Sequence, residues 1–126
     1  MYSIRNANEK DFNFIHASLK SADCNLERDY LFNVIIKTCD VYILTPETDS
    51  TLIVGTIAVC DDKLAWLYVK EIYRRMGIAT YMLNMCNAKH EFFIKGKSEA
   101  WKHLAKHRKL KWNPYLILPT LSSISQ

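Results

Sequence analysis

The sequence predicts a single domain of the α/β (α+β) class, in which antiparallel strands pack against helices. Its 126 residues suit one domain and are too few for two well-buried cores. Hydrophobic residues make up 49% and charged residues 24%, close to globular averages, so disordered and collagen-like chains are excluded. The class follows from the order of the predicted elements: two segments with helical spacing, a β hairpin, a third strand, and a glycine that begins another helix.

The first part of the chain is predicted to hold one strand and two helices. Residues 2–5 alternate as a short strand does, and Asn8 with Asp11 resembles a capping box at a helix start. Asn25 is the predicted cap of the second helix, which ends near Cys39. Apolar residues recur at helical spacing on one face of each helix, namely Phe12, Ile15 and Leu19, then Leu31, Phe32, Ile35 and Ile36.

A hairpin and a central strand follow. Residues 41–45 and 51–60 are β-rich, and residues 46–50 between them have the turn chemistry of an antiparallel hairpin. Residues 61–63 are typical of a second tight turn. Residues 64–69 are apolar and aromatic enough for a central strand rather than an edge strand.

The C-terminal half begins with a strand, loop, glycine and helix unit. Residues 70–76 are polar and basic, and Gly77 begins a helix with an apolar face. A brief strand is predicted at residues 92–94, and Ser98 caps a basic helix that reaches about Lys109.

A last strand is predicted at residues 112–118, where Pro114 makes it an edge strand or delays its start to Tyr115. The domain then spans residues 1–118, and residues 119–126 are a frayed C-terminal tail. An edge strand near the C-terminus could pair between subunits, so a monomer and a homodimer both fit.

Composition indicates a cytoplasmic protein that does not enter a membrane. The longest nearly apolar run, residues 52–60, is about half the length of a spanning helix. The N-terminus carries charge where a signal peptide needs its apolar region. The four cysteines lie far apart without a CxxC pair, which favours reduced, mostly buried thiols; they are Cys24, Cys39, Cys60 and Cys86.

Positive charge is concentrated in one tract. Between Lys89 and Lys111 eight Lys or Arg face two Glu, a local balance of +6 that leaves −2 for the rest of the chain. The tract is either a solvated helix face or a surface for phosphates of a cofactor or nucleic acid. We favour the first, because the nearby aromatic residues are those that small domains usually bury: Phe92, Phe93, Trp101 and Trp112.

The most informative stretch runs from residue 67 to residue 79. Its loop carries Arg74 and Arg75 into a helix N-terminus, where unpaired N–H groups and the positive end of the helix dipole meet. Gly77 has no Cβ, so a phosphate can approach the backbone closely, and Ala79 keeps the first turn narrow. The arginines add positive charge and forked donors. The segment predicts an anion site.

The same stretch resembles the acetyl-CoA signature of the GNAT superfamily of acyl-CoA N-acyltransferases. In that signature a strand end of L-x-V type precedes a loop of the form Arg/Gln-x-x-Gly-x-Gly/Ala, and this sequence has Leu67-Tyr68-Val69 and then Arg74-Arg75-Met76-Gly77-Ile78-Ala79. The elements upstream follow the family order, so the resemblance covers residues 1–95. The segment around Trp112 looks like small bacteriophage-associated members.

The resemblance implies a mixed, mostly antiparallel GNAT-like sheet flanked by helices, and an N-acetyltransferase with acetyl-CoA as cosubstrate. The pyrophosphate would rest on the amides of residues 75–80, the pantetheine would pair with the free edge of residues 67–69, and the tract from Lys89 onward would meet the 3′-phosphate. The implied cofactor-binding residues are Leu67, Tyr68, Val69, Arg74, Arg75, Met76, Gly77, Ile78, Ala79 and Thr80.

Acyl transfer to an amine needs groups that remove a proton from the amine and protonate the leaving thiolate. Glu71 is the carboxylate nearest the predicted site, although it could instead pair with a loop arginine in solvent. The family often uses a tyrosine on the helix after the fifth strand, but Leu104 stands where it would align. Tyr115 and Tyr68 are the predicted substitutes, and each could also be a packed tyrosine.

No metal site is predicted. His103 and His107 have ligand spacing on a helix, but no third ligand is apparent, so they are predicted to lie on the basic solvent face. The absence of a Gly-x-Ser-x-Gly elbow and of a GKS/T loop gives no support to hydrolase or kinase activity.

Three functions remain open: an acetyltransferase acting on a primary amine, a catalytically silent GNAT-fold binding or interaction protein, and a basic nucleic-acid-associated module. The acceptor, a small molecule or a protein, matches no pattern in the sequence.

Overall fold

The chain is seen in a computed structural model that describes residues 1–114 and residue 116. Within these residues, six strands form one sheet, two more form a small ribbon, and four helices flank them. The strands are β1 (Tyr2–Asn6), β2 (Ala22–Asp23), β3 (Asp40–Pro46), β4 (Gly55–Cys60), β5 (Lys63–Val69), β6 (Glu91–Phe92), β7 (Lys95–Gly96) and β8 (Lys111–Trp112). The helices are α1 (Phe12–Ser18), α2 (Arg28–Thr38), α3 (Ile78–Met85) and α4 (Glu99–His107).

The main sheet is mixed and mostly antiparallel, which confirms the predicted fold class. Its order is β1-β3-β4-β5-β6-β8. The first four of these pair antiparallel, whereas β6 runs parallel to both of its neighbours. The strand β5 is central as predicted, but its ladder with β6 consists of one pair, Leu64 with Phe92. Within the described residues, the second half of β5 therefore has no ladder partner on that side.

The hairpin between β3 and β4 forms in the predicted place with a later second strand. The strand β4 begins at Gly55 rather than at Thr51. The amide and hydroxyl of Thr51 both donate to the Oδ1 of Asp49, at 2.9 and 2.6 Å. This Asx-type turn occupies the residues that an extended strand would have used.

The two helix starts differ in how well local sequence predicts them. The capping box of Asn8 and Asp11 is present, and the Asp11 carboxylate also binds both Nη atoms of Arg5, at 2.7 and 2.9 Å. The predicted Asn25 cap is wrong: α2 begins at Arg28, and its N-cap residue makes no side-chain bond. The start of α2 is instead held to α1 by the contact of His16 with Asp29, so tertiary contact replaces the local cap.

Two buried clusters lie on opposite faces of the sheet. Alternate residues of β5 enter different clusters: Leu67 and Val69 pack with Ile78 of α3, whereas Trp66 packs with Leu19 and the helix α2. The Trp66 indole N–H donates to the buried Ser18 hydroxyl at 2.9 Å. The strand β5 is thus fixed from both faces, and its C-terminal end is a rigid support.

The C-terminal strand is shorter than predicted, since β8 covers only Lys111–Trp112 in the described part of the chain. The predicted strand residue Tyr115, the domain boundary at residue 118 and the tail 119–126 lie outside the described residues. Cys24 is exposed and the other three cysteines are half-buried, all as free thiols, so the thiols are less buried than predicted. No helix among residues 1–114 is long and apolar enough to span a bilayer.

Candidate functional site

A cleft of about 650 Å³ lies between the end of β5, the start of α3 and one face of α4. It takes in most of the residues predicted to bind the cofactor, namely Leu67, Tyr68, Val69, Arg74, Arg75, Gly77, Ile78, Ala79 and Thr80. Met76 is not among the lining residues and is 63% exposed. The structure thus brings nine of the ten predicted residues to one cavity.

The wall formed by β5 has polar backbone groups directed into the cleft. The amide of Lys70 donates to the Val54 carbonyl at 2.9 Å, and a Cβ at Gly55 would lie 2.6 Å from the Tyr68 carbonyl oxygen. The polar groups of residues 68 and 70 therefore face β4. Because these groups alternate along a strand, those of Leu67 and Val69 face the side that β6 leaves uncovered. The Val69 carbonyl accepts a hydrogen bond from the Arg74 side chain, so an extended ligand added at this edge would pair with the Leu67 amide and carbonyl and the Val69 amide.

The floor of the cleft is the N-terminus of α3, which has no cap from a side chain. Its N-cap residue, Gly77, lies at φ +74° in the left-handed region that favours glycine. A Cβ placed there would meet no atom within 4 Å outside the neighbouring residues, so the space beside Gly77 is open. The first intrahelical bond runs from the Tyr81 amide to the Gly77 carbonyl at 3.0 Å. The preceding amides, of Ile78, Ala79 and Thr80, have no intrahelical acceptor.

The two arginines of the loop differ in role. The Nε of Arg74 donates to the Val69 carbonyl at 2.9 Å, and its guanidinium carbon lies 5.4 Å from the centre of the Tyr68 ring. Arg75 is exposed and takes φ +68°. Arg74 is therefore held at the junction of strand and helix, whereas Arg75 adds charge at the rim.

The three residues predicted for catalysis lie in different places. Tyr68 lines the cleft, with its ring 6.0 Å from that of Phe14 and 6.5 Å from that of Trp66. Glu71 is exposed on a short 3-10 helix and is not among the cleft-lining residues. Tyr115 lies outside the described residues. No group of three or more His, Cys, Asp or Glu side chains within the described residues could hold a metal ion.

The fold relates this chain to solved acetyltransferases. A possible acetyltransferase from Clostridium difficile 630 has 16% identity and a TM-score of 0.53, with 100% of this chain and 90% of that chain covered. The ribosomal-protein-S18-alanine N-acetyltransferase of Escherichia coli has 16% identity and a TM-score of 0.51, with 68% and 56% covered. A spermidine/spermine N-acetyltransferase from Vibrio cholerae, in mutant forms, has 12% identity and a TM-score of 0.51, with 68% and 59% covered.

The chain has the GNAT acetyltransferase fold. It matches the last two of these proteins over less than two thirds of their own length. No protein-family model matches the sequence, and no curated protein matches it. At these identities the similarity concerns the GNAT fold, and the bacteriophage association remains a prediction.

One face of α4 forms the opposite wall of the cleft, which the sequence analysis did not predict as a whole. Trp101, His103, Leu104 and His107 line the cleft, and both histidines are also exposed, as predicted for the basic solvent face. Their spacing was a usable signal, because residues 100, 103 and 107 and residues 101 and 104 fall on adjacent rows of one helix face. Leu104, at the position aligned with the family tyrosine, places an aliphatic side chain on this wall.

The indole of Trp101 is the best-fixed part of this wall. Its ring lies 4.7 Å from that of Phe92 in an edge-to-face arrangement and packs directly against Gly96. Its Nε1 is buried without a hydrogen-bond partner in the structure, and a buried donor of this kind costs free energy until an acceptor reaches it. A polar ligand atom in the cleft could be that acceptor.

Proposed function

We propose that this chain is a GNAT-superfamily N-acetyltransferase that binds acetyl-CoA and transfers its acetyl group to a primary amine. One observation carries the proposal: the open N-terminus of α3 and the uncovered backbone edge of Leu67 and Val69 line the same cleft. The helix N-terminus suits a diphosphate, and the strand edge suits the amide-containing pantetheine arm. An anion site alone would fit many ligands, but the pair of features fits a cofactor that joins both chemical parts.

The residues present fit acetyl-CoA. The amides of residues 75–80 would bind the pyrophosphate, since no side chain caps the helix and the space beside Gly77 is open. Arg74 and Arg75 would contribute positive charge at the same end.

When bound, acetyl-CoA supplies the acetyl group as a thioester. The cleft would orient a neutral amine so that its nitrogen forms a bond to the carbonyl carbon while the carbon–sulfur bond breaks. The nitrogen would lose its proton to the imidazole of His103 or His107, and the departing thiolate, whose thiol has a pKa of ~8.5, would take a proton. Tyr68 is the predicted catalytic residue that lines the cleft, so we assign it the protonation of the sulfur.

Calorimetry with acetyl-CoA tests the proposal. Two matched variants each introduce one carboxylate on α3, the first in its first turn and the second at its far end. Thr80→Glu places a negative charge where it suits the helix dipole and repels a pyrophosphate. We expect this variant to bind acetyl-CoA at least tenfold more weakly than the wild type, a loss of ~1.4 kcal/mol in binding free energy. Met85→Glu makes the same change of charge at the exposed far end of α3. Equal affinity in both variants would place the cofactor elsewhere.

The second candidate function is a binding or interaction protein that keeps the fold without turnover. The presence of Leu104 on the cleft wall favours it, because a leucine cannot donate a proton to the thiolate. Release of free CoA thiol on a panel of amines separates the two candidates. Tight acetyl-CoA binding with no thiol release on any amine would favour the silent protein.

A further inference from the structure

The charge of the cleft restricts its acceptor, if the proposed function holds. Four permanent cations line the cavity: Lys20, Arg74, Arg75 and Lys97. No Asp or Glu is found among the described residues that line it. Residue 115 and residues 117–126, which the structure does not describe, contain no Asp or Glu side chain either. A polyamine or a lysine-rich segment would therefore enter this cleft against uncompensated positive charge.

The cations form two groups along the cleft, and the Arg74 guanidinium of the first group lies over the Tyr68 ring, on the side of the sheet that also carries the second group. Arg74 and Arg75 adjoin the start of α3, where the cofactor phosphates would neutralise them. Lys20 and Lys97 lie together elsewhere: the Lys97 amide donates to the Ser21 carbonyl at 2.8 Å, and its ammonium donates to the Lys20 carbonyl at 3.2 Å. This lysine pair belongs to the segments that flank the ribbon of β2 and β7. It lies on the side of the sheet to which Trp66 and Tyr68 point.

Neither Lys20 nor Lys97 forms an ion pair with a carboxylate among the described residues. Asp23 is opposite Lys95 in the ribbon register, and Glu99 binds the ammonium of Lys102 at 3.3 Å. Neither carboxylate lines the cleft. With the phosphates of the cofactor directed at α3, the remaining mouth of the cleft presents positive charge that an anionic acceptor would match.

The lining also limits the type of amine. A lysine-type or polyamine nitrogen with pKa ~10.4 is less than ~0.1% neutral at pH 7, whereas an α-amine of a peptide with pKa ~7.7 to 8.0 is ~10% neutral. Among the described lining residues, His103 and His107 are the side chains suited to accept a proton near neutral pH, and an imidazole is too weak a base to deprotonate much of a lysine-type ammonium. An α-amine needs less help, because part of it is already neutral.

We infer that the acceptor is the N-terminal α-amine of an acidic peptide segment, bound with its carboxylates beside Lys20 and Lys97. Both parts of this inference rest on the described cleft lining: its cations select the acidic segment, and the lack of a base stronger than an imidazole selects the α-amine.

Two synthetic peptides test the inference, with identical length and N-terminal residue but with Asp or Lys at the second to fourth positions. We expect kcat/KM to be higher for the acidic peptide by about tenfold or more, as electrostatic steering allows. The difference should shrink as the salt concentration rises. Lys20→Glu should reduce or invert the preference, whereas Lys106→Glu, an exposed lysine of α4 outside the cleft lining, should leave it unchanged.

Spermidine and an amino-sugar phosphate complete the panel. A higher kcat/KM for the basic peptide or spermidine would overturn the inference, and a higher value for the sugar phosphate would replace the peptide by a small anionic amine. Acetyl-CoA binding is measured first on the same protein. If acetyl-CoA does not bind, the proposed function is wrong. If it binds but the acidic peptide is not acetylated, only the inference drawn from charge is wrong.

Discussion

The Nε of Arg74 donates a hydrogen bond to the carbonyl oxygen of Val69, the last residue of β5, at 2.9 Å. The same guanidinium lies over the Tyr68 ring. This side chain therefore ties the loop before α3 to the strand from which the loop departs. The geometry of the anion site is set by the protein alone, which reduces the ordering cost when a ligand binds.

Replacing Arg74 should weaken acetyl-CoA binding more than replacing Arg75. Arg74→Ala removes both the tie to Val69 and the charge beside α3, so we expect a loss of ~1 to 3 kcal/mol in binding free energy. Arg75 is exposed, and Arg75→Ala should cost less than ~1 kcal/mol. Isothermal calorimetry on both variants measures the contrast. A larger loss for Arg75→Ala would mean that the rim, and not the junction, binds the phosphates.

Tyr68 and Glu71 should differ in their effect on turnover. Tyr68→Phe keeps the ring packing against Phe14 and Trp66 but removes the hydroxyl, so we expect kcat to fall by ~10²-fold or more if that hydroxyl protonates the thiolate. Glu71→Gln should leave kcat within about twofold, since its side chain is exposed outside the cleft lining. Thiol release at saturating acetyl-CoA measures both. An unaffected Tyr68→Phe variant would move the role to α4 or to Tyr115.

Gly96 should be intolerant of any side chain because of Trp101. A Cβ there would lie 2.5 Å from Cδ1 and 2.6 Å from Cγ of the indole, so Gly96→Ala should destabilise the fold by ~1 to 3 kcal/mol. Trp101→Ala removes Cγ and Cδ1, the two atoms that lie closest. In a double-mutant cycle of urea denaturation, we expect Gly96→Ala to cost much less in the Trp101→Ala background. Additive losses would show that the glycine is required for another reason.

The contact of Arg5 with Asp11 should give stability a dependence on pH at the acidic end. Hydrogen bonds from Arg5, and more weakly the Asn8 amide, hold the pKa of the Asp11 carboxyl below its ordinary value of 3.8, although burial opposes them. Because the folded pKa is the lower one, the stabilisation is present above 3.8 and is lost as the pH falls through the lowered value. Charged hydrogen bonds of this kind contribute ~1.5 to 3 kcal/mol.

Thermal unfolding across this acidic range checks the effect. Asp11→Asn should be less stable than wild type at neutral pH and should lose less stability on acidification. Asp23→Asn, at an exposed carboxylate, is the control and should follow the wild-type curve. A wild-type curve parallel to that of Asp11→Asn would show that other carboxylates dominate acid unfolding.

Local sequence patterns were sufficient for the elements whose physics is local. The hairpin of β3 and β4, the capping box at Asn8 and the left-handed glycine before α3 follow from turn chemistry, side-chain donors and backbone sterics. The start of α2 could not be predicted in this way, because the contact of His16 with Asp29 joins residues from different helices. Register between distant segments has no local signature.

The candidate site also has one part that local sequence predicts and one part that depends on tertiary packing. The part formed by residues 67–80 is contiguous in sequence, so its chemistry could be read in order. The wall of α4 comes from a basic amphipathic helix whose polar positions predict solvent exposure, and only the packing of Trp101 on Gly96 and Phe92 directs that face to the cleft. Charge pattern alone could not distinguish an outer surface from the lining of an open cavity.

The single ladder pair between Leu64 and Phe92 implies unequal resistance to opening within the domain. The strands β4 and β5 are hydrogen-bonded to each other along their length. The segment that carries β6, α4 and β8 joins the sheet through two-residue strands. Amide protons of α4 should therefore exchange with solvent before those of β4, because subglobal opening needs fewer broken bonds there. A ligand that bridges α3 and α4 would protect the weaker segment most.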